Sequence, residues 1–150
     1  MSAAMLPPVR HVLHTIATTV VPETVSFDER AWSELDEVIE HAVAKRGERV
    51  QRQFVMFLRL VQNLAVARYG KVFTSLDPGR RTAFLESIER SRLLLVRRGL
   101  WGVRTLVFMA YYTRDDATEA IGYNPSAAGW AARGGTVTTI PLSPQLWIEP

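Results

Sequence analysis

The chain between Gly47 and Gly70 repeats apolar side chains every three or four positions and contains no other glycine and no proline. This spacing places the apolar residues on one side of an α-helix, and the glycines break the helix at its ends. We predict a long helix over about residues 48–69, with an inner face of Phe54, Phe57, Leu58, Val61, Leu64 and Ala65. Further apolar residues make this face wider than a surface helix needs, which predicts a central helix or one that contacts a partner on a second side. They are Val55, Met56, Leu60 and Val66.

A shorter helix is predicted near the N-terminus. Proline is tolerated at the entry of a helix, so Pro7-Pro8 predicts a helix that begins at about Val9. Pro22 ends it, because proline lacks the amide N–H and clashes with the preceding turn.

The second predicted helix has a strongly acidic outer face. Ser26 with Glu29 three residues later has the pattern of a capping box, which predicts a helix from there to about Ala44. Residues 23–48 contain 3 basic and 8 acidic side chains, whereas residues 49–114 contain 13 basic and 3 acidic ones. The charge of the chain is therefore divided into an acidic and a basic segment.

Three more helices are predicted in the basic segment and just after it. Asp77 is a good N-cap and Pro78 a good first helical residue, so a fourth helix begins there. Its predicted core residues are Ala83, Phe84, Leu85 and Ile88.

The fifth predicted helix covers about residues 93–113 and contains two glycines, Gly99 and Gly102. Each glycine costs about 1 kcal/mol relative to alanine, so we expect close helix packing or a kink there. Asp115 or Asp116 is expected to cap a last short helix that ends at Gly122.

The residues after Tyr123 are rich in Gly, Pro, Ser and Thr and have no helical periodicity. We predict a mainly α protein, in which residues 1–123 form a small bundle of about five to six helices. Residues 124–150 are predicted to form an extended, irregular arm that contains aromatic residues. A purely disordered tail rarely carries two tryptophans, so the arm is expected to lie along this domain or on another chain.

The sequence offers no set of catalytic or cofactor-binding residues. The absence of cysteine excludes disulfides, thiolate metal sites and cysteine nucleophiles. No glycine-rich phosphate loop or serine nucleophile motif is present. His11 and His14 could share a helix face, but their segment has no carboxylate that would complete a metal site. His41 lacks the Glu-x-x-His spacing of di-iron bundles, so a solvated acidic face is favoured around Asp36 and its neighbours. We predict no catalytic residue, no metal and no cofactor in this chain.

The basic segment raises the alternative of an Arg-rich helical protein that binds nucleic acid or has a regulatory role. Of the 18 basic residues, only Lys45 and Lys71 are lysines, and arginine contacts phosphate well. Large apolar side chains interrupt the basic segment, however, and the acidic second helix would repel a nearby backbone. Nucleic acid is therefore not the favoured partner. A transmembrane helix is not expected, because the most apolar windows contain arginine.

Trp, Tyr and Arg are the residue types that most often anchor protein interfaces. They are concentrated in the C-terminal half of the chain, which predicts a partner-binding surface there. A place in the helical core is the favoured alternative for Trp101, Phe108 and Tyr111. The predicted partner-binding residues are Arg97, Arg98, Trp101, Arg104, Tyr111, Tyr112, Tyr123, Trp130 and Trp147.

Several local motifs occur in an order that is typical of one family. Val20-Val21-Pro22 ends the first helix, Phe73 precedes Leu76-Asp77-Pro78, and an Arg-rich helix ends in Ala110-Tyr111-Tyr112 before Ile121-Gly122-Tyr123. In this order, over about residues 9–123, the chain resembles the gluconate 2-dehydrogenase subunit 3 family. These are small accessory subunits of flavin dehydrogenases of the glucose–methanol–choline class.

The resemblance implies a non-catalytic small subunit of a hetero-oligomer. Its partner would be a large FAD-dependent dehydrogenase subunit that oxidises a sugar or related alcohol, and the small subunit would support folding, stability or export of that partner. The FAD would belong to the partner. The arm and the last two predicted helices are expected to make the contact.

Many members of the family carry a twin-arginine export signal, and this sequence shows none. The expected location is therefore the cytoplasm, or the periplasm if the chain is exported together with its partner.

Overall fold

The computed structural model describes residues 5–114 and shows a bundle of five α-helices, without a strand in that range. The helices are α1 Arg10–Val20, α2 Glu29–Ala44, α3 Glu48–Tyr69, α4 Pro78–Glu89 and α5 Leu94–Tyr112. Two 3₁₀ helices, Pro22–Ser26 and Phe73–Ser75, lie in the connections. The mainly α prediction is confirmed. The predicted sixth helix, the arm at 124–150 and the boundary between the two lie outside the described residues.

Helices α1 and α5 hold the bundle together. α5 packs against all four other helices, and α1 packs against α3, α4 and α5. The buried side of α1 consists of Val12, Leu13, Ile16 and Ala17. The side of α5 that faces the bundle consists of Leu100, Val103, Leu106, Val107 and Ala110. Because these two apolar stripes meet the stripes of α2, α3 and α4, the described helices share one hydrophobic core.

The predicted limits of α3 are confirmed. Gly47 and Gly70 both have positive φ angles, +87° and +68°, which side chains other than glycine rarely adopt. At the C-terminal end, the N–H of Gly70 donates to the carbonyl of Val66 at 2.8 Å and closes the last turn. The predicted inner face is narrower in the structure, because only Phe54, Leu58, Val61 and Ala65 are buried. Phe57 is half-buried and Leu64 is exposed, so the prediction for Leu64 was wrong.

The start of α4 is also as predicted. Asp77 accepts a hydrogen bond from the backbone N–H of Arg80 at 3.0 Å, and Pro78 is the first helical residue. This hydrogen bond stabilises the ionised carboxyl and lowers the pKa of Asp77 below its usual value. Phe84, Leu85 and Ile88 are buried, but Ala83 is exposed on the other side of the helix and does not belong to the core.

The predicted N-cap of α2 was wrong. The helix begins at Glu29, and its N-cap is Asp28, whose carboxylate accepts the N–H of Ala31 at 2.8 Å. Ser26 belongs to the preceding 3₁₀ helix and donates its hydroxyl to the carbonyl of Glu23. The short turn that starts at Pro22 extends through Ser26 and moves the start of α2 towards the C-terminus.

Part of the acidic face of α2 points inward, contrary to the predicted solvated face. Asp36 is only 5% exposed and accepts from Arg10 at 2.9 Å and from His14 at 2.8 Å. The His14 ring also stacks on Trp32, with 4.0 Å between ring centroids. Asp36 therefore links α1 to α2 through these two contacts. The N-terminal segment has no carboxylate of its own, and α2 supplies one beside His14.

Candidate partner-binding surface

Four of the predicted partner-binding residues lie together on the outer side of α5. Arg97, Arg98, Trp101 and Arg104 line a shallow depression of about 400 Å³ that Leu94 and Glu89 complete. The Trp101 side chain is 72% exposed, so the alternative of a core position is wrong for it. Arg104 pairs with Glu89 across the gap between α4 and α5. An exposed indole beside arginines is typical of the residues that anchor protein interfaces.

The two tyrosines at the end of α5 are in a different environment. Tyr111 is half-buried and stacks on Phe27, with 6.1 Å between ring centroids. Tyr112 is exposed, and its ring is nearly perpendicular to that of Tyr111, with 5.1 Å between ring centroids. Phe108 is half-buried and stacks on Tyr112. The tyrosines therefore lie apart from the depression, and Tyr111 also packs against the segment before α2. Tyr123, Trp130 and Trp147 lie outside the described residues, so their role stays a prediction.

A larger apolar surface lies between α3 and the first three turns of α5. It is a groove of about 790 Å³, hereafter the α3/α5 groove, and its lining is mostly aliphatic. Three of its side chains are largely exposed: Leu95 at 81%, Leu93 at 67% and Met56 at 66%. Large exposed apolar patches are typical of interaction surfaces and ligand-binding grooves. The groove is lined by Val43, Arg46, Val50, Gln53, Phe54, Met56, Phe57, Leu60, Arg92, Leu93, Leu94, Leu95, Val96, Arg98, Gly99, Gly102, Val103 and Leu106.

Two glycines of α5 shape the floor of the groove. A Cβ atom at position 99 would overlap the ring of Phe57, so the absence of a side chain lets that ring lie directly on α5. A Cβ atom at position 102 would meet nothing within 4 Å, because Gly102 faces open space in the groove. Close packing or a kink was expected at both glycines; close packing is seen at Gly99, while Gly102 gives the groove its depth.

The charges around the groove have one sign. Arg46, Arg92 and Arg98 lie among its lining residues, which include no aspartate or glutamate. Within residues 5–114, none of these three guanidinium groups pairs with a carboxylate. The α3/α5 groove is thus an apolar surface with a positively charged rim.

Sequence reasoning did not place Leu93, Leu94 and Leu95 in the partner-binding surface. Their apolar run was compatible with an inward position at the start of a core helix. The sequence of α3 nevertheless indicated a second contact surface, because Met56 and Leu60 make its apolar face wider than one side of the helix. Both residues line the groove, as expected of a helix with two apolar contacts.

No group of three or more His, Asp or Glu side chains within residues 5–114 is arranged to hold a metal ion. Asp36 and His14, the most buried acid–histidine pair, lie with Arg10 between α1 and α2, away from the groove lining. No helix in this range is long and apolar enough to cross a membrane.

Residues 5–114 thus form a small helical bundle that presents an apolar, positively rimmed groove. The family model for gluconate 2-dehydrogenase subunit 3 matches residues 9–129, and the chain belongs to this family of accessory dehydrogenase subunits. A search of the curated proteins and a search of the solved structures each found no significant match.

Proposed function

We propose that this chain is a non-catalytic small subunit that binds and stabilises, or helps to mature, a large FAD-dependent sugar or alcohol dehydrogenase subunit. Membership in the family supports the role of subunit in a dehydrogenase complex. The FAD and the catalytic residues belong to the large subunit in this proposal. The proposed location of the complex is the cytoplasm, or the periplasm if the chain is exported together with its partner.

The observation that carries the proposal is the exposed apolar surface of α3 and α5. Burial of apolar area contributes about 25 cal/mol per Å², so side chains such as Leu95 and Met56 lose that stabilisation while they remain in water. A large partner surface would recover it. Obligate interfaces are more apolar than other protein surfaces, and the α3/α5 groove has this character.

The pairing of the arginines favours a protein partner over nucleic acid. Six arginines within residues 5–114 already pair with carboxylates of the same chain, which reduces the charge available to a phosphate backbone. They are Arg10, Arg30, Arg80, Arg90, Arg104 and Arg114. The arginines around the groove are interleaved with leucines, which a phosphate backbone would leave exposed.

Co-expression with a large FAD-dependent dehydrogenase subunit from the same host tests the proposal. We expect one complex on size exclusion, with the flavin absorbance in the same peak, and a lower yield of flavin-loaded large subunit when this chain is omitted. The same co-expression with a truncated chain that ends at Tyr123 tests whether the predicted arm contributes to the contact.

A large subunit that is equally abundant, flavin-loaded and active without this chain, and that never co-elutes with it, would contradict the proposal. Retention of the isolated chain on heparin, with an affinity for nucleic acid that falls steeply with salt, would favour the nucleic-acid alternative instead.

A further inference from the structure

We propose that the α3/α5 groove binds an amphipathic helix of the dehydrogenase partner, with large apolar side chains on one face and acidic side chains along its edge. This inference rests on the proposed function and adds where the partner binds and what the bound segment is like.

The length of the groove fits a helix. Its lining on α5 extends from Leu93 to Leu106, which is about 20 Å at 1.5 Å per residue. The α3 side runs beside it from Val50 to Leu60. A groove between two helices that is several turns long matches the apolar stripe of a third helix, whose side chains recur at every third or fourth residue.

The groove offers side chains rather than backbone groups. Most of its walls belong to α-helices, in which the N–H and C=O groups bond within each helix. The exceptions are Arg46, the two residues before α5 (Arg92 and Leu93) and the first N–H groups of α5, which no side chain caps. An extended segment would have to leave its own backbone groups unpaired in an apolar environment, which is costly. A helix pairs these groups internally, so a helical occupant is favoured.

The charge of the rim indicates the polar edge of the occupant. Arg46, Arg92 and Arg98 have no carboxylate partner within residues 5–114, and the lining contains no acidic residue. Guanidinium groups form paired hydrogen bonds with carboxylates. Aspartate or glutamate beside the apolar face of the incoming helix would complement all three arginines.

Two other occupants fit less well. Residues 115–123 carry three acidic side chains, but the short helix predicted there ends at Gly122 and would span only about 12 Å at 1.5 Å per residue, less than the groove. In residues 124–150, Glu149 and Arg133 are the only charged side chains, and prolines and glycines interrupt the segment, so it cannot supply an acidic amphipathic helix. A second copy of this chain in a symmetric dimer would place the same arginines against each other across the interface. Both occupants remain as outcomes of the test.

The test uses the co-expressed complex and a photo-crosslinking amino acid at position 95. We expect position 95 to crosslink to a segment of the large subunit. That segment should carry apolar residues at helical spacing, with Asp or Glu beside them. A crosslink within this chain to residues 115–150, or between two copies of it, would overturn the inference.

Variants of the groove provide the second measurement, which is the dissociation constant of the two separately purified subunits. Gly102→Leu fills the groove without touching the buried side of α5, and we expect it to weaken binding at least tenfold. Gly102→Ala is the control, since it changes helix propensity and adds only one methyl group.

The charge of the rim is tested in the same way. Arg92→Glu combined with Arg98→Glu should weaken binding by a similar factor, whereas Arg68→Glu, on an exposed part of α3 outside the groove, should leave it unchanged.

The two proposals fail in different ways. If the wild-type chain does not bind the large subunit, the proposed function is wrong and the inference is wrong with it. If the wild-type chain binds and the Gly102→Leu and arginine variants bind equally well, the small subunit uses another surface, and only the inference is overturned.

Discussion

The N-terminus of α2 depends on one carboxylate. Asp28 is exposed, yet its side chain accepts the Ala31 N–H at 2.8 Å and pairs a backbone donor that has no partner within the helix. Ser26, two residues earlier, uses its hydroxyl to close the 3₁₀ turn. The two residues are both good capping types, and their hydrogen bonds give them different roles.

Asp28→Ala should lower the free energy of unfolding by about 1 kcal/mol, because the capping acceptor is lost. Ser26→Ala should change it by less than about 0.5 kcal/mol, since an exposed hydroxyl is removed from a short turn. Urea denaturation of both variants measures this difference. Asp28→Asn is the control and should retain most of the stability, because its amide oxygen can still accept. An equal loss in the serine variant would show that Ser26 is the cap.

At the scale of a helix, the two glycines of α5 lie in opposite environments. Gly99 is where the ring of Phe57 lies on the backbone, whereas Gly102 faces the open groove. Both cost helix propensity, and the reason for each is different: one glycine allows helix α3 to approach, and the other leaves space on the surface. The same residue type in the same helix therefore serves packing at one position and groove shape at the other.

Gly102→Ala should raise the free energy of unfolding by about 1 kcal/mol, the propensity difference between the two residues in a helix interior. Gly99→Ala should gain nothing or lose stability, because the new methyl group forces the Phe57 ring to move. Thermal unfolding followed by circular dichroism compares the two variants with the wild type. Equal stabilisation by both would mean that Phe57 can leave Gly99 without cost.

At the scale of the whole molecule, the bundle formed by residues 5–114 buries one core, and no helix of that range covers the apolar surface of the α3/α5 groove. α5 packs on the other four helices, while Leu95 and Trp101 of α5 and Leu93 just before it remain exposed. A monomer rarely leaves a contiguous apolar patch of this kind without a function. The exposed surface is what a subunit, rather than a self-contained protein, would be expected to show.

The isolated chain should therefore bind an apolar fluorescent dye, and complex formation with the large subunit should abolish most of that fluorescence. Replacing Met56 and Leu95 together by serine should also reduce it, because both side chains line the groove. Val25→Ser is the matched control, since Val25 is exposed but lies outside the groove. Unchanged fluorescence in the double variant would show that the dye binds elsewhere.

Local sequence signals predicted the helix ends correctly where only one nearby residue could serve as the helix breaker or the N-cap. Glycine at positions 47 and 70 and the Asp77-Pro78 pair placed the ends of α3 and the start of α4 at the observed residues. The prediction was wrong where two residues could serve equally, as with Ser26 and Asp28. It was also wrong for Asp36, because the two groups that pair with this carboxylate lie on another helix.

The sequence alone determined that the chain is helical and where most helices begin and end, because helix caps and breakers act over a few neighbouring residues. It also determined the family, because the local motifs occur in an order typical of it. Only the tertiary structure decided which apolar sides are covered. Leu64, Leu95 and Trp101 have the same apolar character as their buried neighbours, but burial depends on whether another helix lies opposite. The α3/α5 groove exists because α3 and α5 meet at Phe57 and Gly99 and no described helix covers the leucines beside that contact.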